Sequence, residues 1–192
     1  MSLFSFVMFQ SFHTFLETYM SRPLANNFTA MLHACGTTIL TARYLSGHRN
    51  IYNIVRAYST GYFIYDFFHV LKYGKRSATN AFYLYHHLVS IYIIHKNPVI
   101  YKGCDILFWG ELSNLPSYLV YYFLKTNNPQ QLKIWKRIQA IVYTFIRLPV
   151  MAKLGYTIVP TVKDKTPFAA LVPVYLMGAY WSSHLWRKLR DI

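Results

Sequence analysis

Acidic residues and cysteines are scarce in this chain. The first scarcity argues against an ordinary soluble domain, and the second excludes two kinds of cysteine-based structure. Only 6 residues are Asp or Glu against 20 Lys or Arg, and 14% are charged, where soluble domains have about a quarter. The 2 cysteines, Cys35 and Cys104, lie in or beside apolar runs. This excludes a disulfide framework and a Cys-x-x-Cys metal site. The motifs GxSxG, GxGxxG and GxxxxGK[ST] are also absent, so no common soluble-enzyme signature is present.

Long apolar runs dominate what is present. Hydrophobic residues make up 54% of the chain, although 18 tyrosines help to hold its mean hydropathy to +0.20. Six runs approach or exceed the roughly 17–25 residues that cross a bilayer: about 28–45, 53–73, 81–95, 102–124, 134–159 and 167–189. They predict an all-α, polytopic membrane helix bundle with six core transmembrane helices, in one domain over residues 28–192. Residues 1–27 form an N-terminal apolar segment, either an extra span or an interfacial helix.

The basic residues lie between the apolar runs rather than in one patch. The formal charge of +14 therefore fits the excess of Lys and Arg in cytosolic loops better than nucleic-acid binding. More of these residues fall on the side that holds both ends of the six-span core, which predicts a cytosolic C-terminus. A basic cytosolic face suits anionic lipid headgroups. We expect a multi-pass membrane protein whose partners are membrane lipids and not nucleic acid, with oligomerisation left open.

Polar groups interrupt the apolar runs at several points. They are His86 and His87 in the third run, Asp66 and His69 in the second, Glu111 and Asn114 in the fourth, and Arg147 in the fifth. A charged group at mid-bilayer depth costs about 2.5–3.5 kcal/mol on insertion scales. This cost is tolerated where such groups face one another or a wet cavity inside a bundle. The sequence therefore predicts an intramembrane polar site.

The histidine pair is the first candidate for chemistry at this site. On a helix His86 and His87 point about 100° apart, so at most one aims squarely at a central cavity. Tyr83 lies four residues before His87 and shares its face. A neutral imidazole can act as a general base or a nucleophile near pH 7. The alternative is a pair of hydrogen-bonded structural histidines.

The neighbouring acids and the arginine allow similar alternatives. Asp66 and His69 are three residues apart on one face, so Asp66 either orients a histidine, as in triad logic, or belongs to a self-satisfied Asp–His pair. Glu111 is the preferred partner of Arg147 and Asp66 the second choice, and a structural buried ion pair is as consistent with Arg147 as a catalytic one. Asn114 and Tyr118 share the face of Glu111, since the three recur at i, i+3 and i+7.

Metal binding is the competing chemistry. A zinc or iron set could draw on His86, His87, Asp66 and His69. Membrane di-iron enzymes, however, use several separated histidine boxes, and this chain has a single His-His pair. We therefore predict no metal site.

The whole core, about residues 28–189, resembles a TLC (TRAM/LAG1/CLN8) domain. The resemblance rests on the order and spacing of five pieces: Met31-Leu32-His33-Ala34, Tyr62-Phe63-Ile64-Tyr65-Asp66, Tyr85-His86-His87-Leu88, Gly110-Glu111-Leu112-Ser113-Asn114 and Phe145-Ile146-Arg147-Leu148. It implies a six-helix membrane bundle around a lipid-accessible cavity, in the endoplasmic reticulum or a related endomembrane.

Ceramide synthases, the best-known enzymes of that family, transfer an acyl group from acyl-CoA to a sphingoid amine with the His-His pair at the centre. By that likeness His86 or His87 would deprotonate the amine or carry the acyl group, while Asp66 and Glu111 position and polarise it. Acyl-CoA would be a co-substrate, with no bound cofactor. The implied substrate-binding residues are His33, His69, Tyr83, Asn114, Tyr118 and Arg147.

The chain departs from the synthase pattern in its fourth run. Ceramide synthases have a His-Asp-x-x-Asp cluster there, whereas this chain reads Gly110-Glu111-Leu112-Ser113-Asn114. That stretch is more similar to the TLCD and CLN8-like branch, whose members are linked to phospholipid composition, lipid handling or trafficking. Two functions follow as expectations: a ceramide synthase-like acyltransferase, or a non-enzymatic protein of lipid binding, membrane lipid composition or trafficking.

Overall fold

The computed structural model describes residues 2–74, 76–96 and 102–190, and all regular secondary structure within these ranges is helical. Residue 1 of the predicted N-terminal segment lies outside the described residues. So do residues 75, 97–101, 191 and 192 of the predicted domain.

The helices follow the predicted runs closely. They are α1 (Ser2–Glu17), α2 (Arg22–Leu45), α3 (Tyr52–Tyr73), α4 (Ala78–Ile94), α5 (Gly103–Lys125), α6 (Pro129–Phe145), α7 (Met151–Ile158) and α8 (Thr166–Arg190). A π-helical turn, Ile146–Val150, joins α6 to α7, and 3₁₀ turns lie at Arg49–Ile51 and Val159–Thr161. The fifth predicted run is therefore one continuous helix, Pro129–Thr161.

Helices α6 and α8 are among those that begin before the predicted runs, because capping residues set their first turn. In α6, Pro129 occupies the first turn and the Asn128 side chain accepts a hydrogen bond from the Gln131 backbone N–H at 3.2 Å. Proline suits this position since its missing N–H has no intrahelical partner there. At the start of α8, the Asp164 carboxylate accepts from the Thr166 N–H at 3.0 Å. Hydrogen bonds from Thr166 hold the pKa of Asp164 below its ordinary value.

Six helices pack as a closed ring in the order α2, α3, α4, α8, α6, α5, with α5 packed back against α2. Helix α1 lies outside this ring against α3 and α2. Its close approach requires Gly61, where an added Cβ would lie 2.4 Å from the Ser5 Cβ and 2.7 Å from the Phe6 backbone nitrogen. Phe9 is fully buried beneath α1. The N-terminal segment is thus part of the bundle.

The interior of the bundle combines apolar and polar side chains. Its buried apolar residues include Phe9, Tyr62, Phe63, Tyr65 and Ile94. Its buried polar side chains include His13, Thr29, His33, Thr37, Thr41, Ser59, Asp66, His87, Glu111 and Ser113. Several large apolar side chains are exposed, for example Ile39 (67% exposed), Phe145 (64%) and Leu176 (60%). The buried polar side chains are the informative feature, because residues of these types are mostly exposed in soluble domains.

Length and composition identify one membrane-spanning candidate among the described helices, Pro129–Thr161. Only 11% of its most apolar stretch is buried inside the bundle. The other five predicted spans are not confirmed by this criterion, for a physical reason. Tyr, His and Ser side chains on α3 and α5 lower the average hydropathy, and α4 has just 17 residues.

Candidate functional site

The ring of helices encloses a cavity of about 780 Å³, which we call the polar chamber. All six ring helices contribute side chains to it. Lys136, His184 and Lys188 line the end of the chamber near the last turns of α8, where Lys188 is exposed, and we call this end its mouth. Its inner wall includes Asp66, Tyr83, His86, His87, Glu111, Asn114, Tyr118 and Arg147. The structure therefore brings eight of the ten predicted site residues to one cavity.

A second cavity of about 350 Å³, the apolar chamber, lies between α4, α5, α7 and α8. Its walls are mainly aliphatic and aromatic, with Leu107, Met151, Leu171 and Tyr175 among them. Three side chains line both cavities: His86, Glu111 and Arg147. A polar space and an apolar space thus meet at an imidazole, a carboxyl group and a guanidinium.

Asp66 and His87 form a direct pair between α3 and α4. The His87 Nε2–H donates to Asp66 Oδ2 at 2.8 Å, and the two residues are 5% and 9% exposed. In a neutral imidazole this bond would place the ring proton on Nε2 and the lone pair on Nδ1. Both Nδ1 and Asp66 Oδ1 are buried, and neither has a hydrogen-bond partner among the described residues. The acid thus orients a histidine on another helix.

His69 lies away from this pair, and it lines neither chamber. Its ring packs against His13 of α1 and against Tyr73, with centroids 5.0 Å apart in each case. His69 lies three residues after Asp66, so the two side chains point about 60° apart around the helix axis. That rotation turns His69 from the cavity toward α1, whose packing on α3 the residue pattern did not predict. The structure therefore places His69 outside both chambers, and its role as a substrate contact stays a prediction.

His33 lies behind the cavity wall and is fully buried. Its ring stacks on Tyr62 with centroids 3.9 Å apart and planes 8° apart. Its Nε2 lies 2.9 Å from Thr37 Oγ1, and its Nδ1 lies 3.9 Å from Glu111 Oε2. His33 lines neither chamber and lies behind Glu111 and Tyr62, so its implied substrate contact stays a prediction.

Arg147 is held by neutral groups of α5. Its Nε donates to Ser113 Oγ at 2.9 Å, and its Nη2 donates to the Gly110 carbonyl and to Asn114 Oδ1, both at 3.1 Å. The Asn114 amide in turn donates to Glu111 Oε2 at 3.4 Å. The predicted Arg147 ion pairs with Glu111 and with Asp66 are not formed. Asn114 instead bridges Arg147 to Glu111, since it lies one helical turn after Glu111 on the same face.

The π turn and a glycine make room for Arg147. Pro149 has no N–H to donate to the carbonyl of Phe145, and the helix widens into the π turn Ile146–Val150. An added Cβ on Gly178 of α8 would lie 3.4 Å from the Arg147 Cβ. The proline was a visible signal of a helix irregularity, whereas no sequence pattern marked Gly178.

The residue pattern also missed the chamber's basic side. Lys136, Gln139, Tyr143 and Arg147 line the polar chamber from α6, and Lys188 lines it from α8. The spacing of 3, 4 and 4 residues along α6 could have revealed this shared face. Within the described ranges, no three His, Cys, Asp or Glu residues are placed to hold a metal ion.

Comparisons with protein-family models, curated protein sequences and solved structures find no match to this chain. The resemblance to TLC domains therefore stays a prediction, carried by the five sequence pieces.

Proposed function

We propose that the chain is a multi-pass membrane protein of the TLC class, with six spans and a cytosolic C-terminus, in the endoplasmic reticulum or a related endomembrane. The apolar exterior supports this placement. Ile141 and Phe145 are 57% and 64% exposed on the continuous helix Pro129–Thr161. Apolar faces of this kind are costly in water and favourable in lipid. The buried polar side chains also support the membrane placement, because polar groups that cannot face lipid must face one another inside the bundle.

The protein acts on membrane lipids, and acyl transfer from acyl-CoA to a lipid amine or hydroxyl is the function that the cavity supports best. The carrying observation is that His86, Glu111 and Arg147 lie where the polar and apolar chambers meet. An amphiphile bound across this boundary would hold its acyl carbonyl, which joins headgroup and chain, beside these side chains.

His87 is our preferred general base. Asp66 holds its Nε2–H, so Nδ1 would accept the proton of the attacking amine or hydroxyl, and the carboxylate would stabilise the resulting imidazolium. His86 lines both chambers and is the alternative base or acyl carrier. The proton would then pass to the departing thiolate, which leaves as the free thiol.

Non-enzymatic lipid binding, in membrane composition or trafficking, is the second candidate. The network of Glu111, Asn114, Arg147 and Ser113 favours it, because these groups hydrogen-bond one another and join α5 to the π turn. In this function the chambers bind a lipid and the polar groups hold the helices together. Buried networks of this kind specify a single packing arrangement.

Incorporation of labelled acyl-CoA into lipid by the purified protein separates the two candidates. We expect turnover by the wild-type protein and its loss in the His86→Ala, His87→Ala double variant. His48→Ala is the matched control, because His48 is an exposed histidine outside both chambers. Equal rates in the double variant and the wild type would exclude acyl transfer by this pair. Bound lipid without any turnover would favour the second candidate.

A further inference from the structure

Arg147 has a positive charge inside the cavity and no negative partner. Its three hydrogen bonds go to a hydroxyl, a carbonyl and an amide oxygen, and it forms no ion pair with a described carboxylate. Its third nitrogen, Nη1, makes no hydrogen bond within the described ranges. The guanidinium is part-buried, lies 5.4 Å from the centroid of the Tyr143 ring, and is linked to Glu111 only through Asn114. The structure leaves room for a bound anion to supply that partner.

The same side of the polar chamber carries two lysines with similarly free charges. Lys136 lies three helical turns from Arg147 on the inner face of α6, and Lys188 lies on α8 at the mouth. Neither forms an ion pair within the described part of the chain. Lys136 and Arg147 are 11 residues apart, which is about 16 Å along a helix. Together they form a basic wall from the mouth to the centre.

The two acids of the chamber do not neutralise this wall. Asp66 is bonded to His87 on the side of α3 and α4, and Glu111 accepts from Asn114 on α5. Asp66 and the two imidazoles thus lie on α3 and α4, away from the lysines of α6 and α8, whereas Glu111 is joined to Arg147 through Asn114. Charge separation of this kind orients a ligand that has its own negative group.

We propose that the basic wall binds the phosphate group of an amphiphile whose hydrocarbon chain lies in the apolar chamber. This inference rests on the proposed function and names its substrate class, a phosphate ester with an acyl or alkyl chain. Charge-assisted hydrogen bonds from arginine to phosphate oxygens are strong, and the two N–H groups of Arg147 Nη1 are not used by the contacts with α5. The lysines extend the positive field to the mouth and would draw the headgroup inward. A phospholipid headgroup and the phosphates of an acyl-CoA share this chemistry.

Binding of matched probes to the purified protein in nanodiscs of neutral lipid tests the proposal. The probes are lysophosphatidic acid, palmitoyl-CoA and an alkyl glucoside of similar chain length, with inorganic phosphate as the chain-free control. We expect both phosphate esters to bind at least about tenfold more tightly than the glucoside, as hydrogen bonds to charged groups allow. The tighter of the two esters identifies the source of the phosphate.

Variants locate the site. Lys136→Gln and Lys188→Gln should each weaken ester binding severalfold and leave glucoside binding unchanged. Arg147→Lys should weaken it more, because lysine keeps the charge and loses the fork. Lys153→Gln is the control, since Lys153 is exposed and lines neither chamber. Because neither lysine forms a hydrogen bond or an ion pair with a described residue, their variants should fold normally.

Two results would overturn the proposal. One is equal affinity of the wild-type protein for the esters and the glucoside. The other is an unchanged preference for esters in the Lys136→Gln, Lys188→Gln and Arg147→Lys variants. Neither would refute the proposed function, because lipid turnover at His86 and His87 and binding of the uncharged glucoside are measured independently of the phosphate.

Discussion

Replacing Asp66 with Asn tests whether the Asp66–His87 pair orients a base or only joins two helices. The change keeps the size and shape of the side chain and removes the charge. The Asn amide can then donate to His87 Nε2, which moves the ring proton to Nδ1 and occupies the nitrogen that our mechanism uses. Loss of a properly oriented base reduces turnover by about 10²–10⁴-fold.

The same substitution has a bounded effect on stability. The Nε2–Oδ2 distance of 2.8 Å is short for a neutral bond and typical of a charge-assisted one. Hydrogen bonds between membrane helices contribute about 0.6 kcal/mol on average and about 1.7 kcal/mol at most. A double-mutant cycle of Asp66→Asn with His87→Gln should therefore give a coupling energy between about 0.6 and about 1.7 kcal/mol.

Two measurements on the same preparations check this prediction: the rate of acyl transfer and the thermal unfolding midpoint in detergent. Asp164→Asn is the matched control, because it removes the charge of an acid that lies in the loop before α8 and lines neither chamber. Full activity of Asp66→Asn with a lowered unfolding midpoint would refute the base assignment and leave Asp66 with a purely structural role.

Two further substitutions probe the packing around the site. Gly178→Leu should displace the Arg147 side chain, because even a Cβ at Gly178 lies 3.4 Å from the Arg147 Cβ, and should lower acyl transfer more than stability; unchanged kinetics in this variant would contradict the arrangement. Ile141→Asp places a charge on the outer face of helix Pro129–Thr161. It should make the free energy of membrane insertion less favourable by about 2.5–3.5 kcal/mol and so reduce the inserted fraction. Gln130→Asp, at the exposed start of the helix, should be tolerated, and equal insertion of the two variants would count against a lipid-facing helix.

The sequence predicts the helices well, because their signals are local. Apolar runs and capping residues lie within a few positions of each helix end, so the ranges of α3, α5 and α8 agree closely with the predicted runs. The order of helices around the ring and the position of α1 are not local. They depend on close contacts such as that of Gly61 with Ser5, which no single segment encodes.

The sequence predicts most of the residues that line the candidate site, but not which of them contact each other. Polar groups inside apolar runs must find a polar environment, so eight of the predicted residues do line one cavity. Which acid meets which base depends on side-chain direction across helices. Asp66 pairs with His87 instead of His69, and Asn114 takes the place between Glu111 and Arg147. Helix periodicity predicts which face of a helix a side chain lies on. It does not predict which of two side chains within one turn makes a particular contact with another helix.

Native mass spectrometry of the purified protein with bound lipid tests the account's central claim most directly, with Gly155→Leu as the variant. Gly155 lines the apolar chamber, and an added Cβ there meets no atom within 4 Å. Leucine should therefore fill the chamber without a clash and raise helix stability by about 0.5–1 kcal/mol. We predict that the wild-type protein retains one bound lipid. The Gly155→Leu variant should retain none, although it should be at least as stable as the wild-type protein. A wild-type protein that retains no lipid, or a variant that retains as much, would contradict the claim that these two chambers together bind an amphiphile.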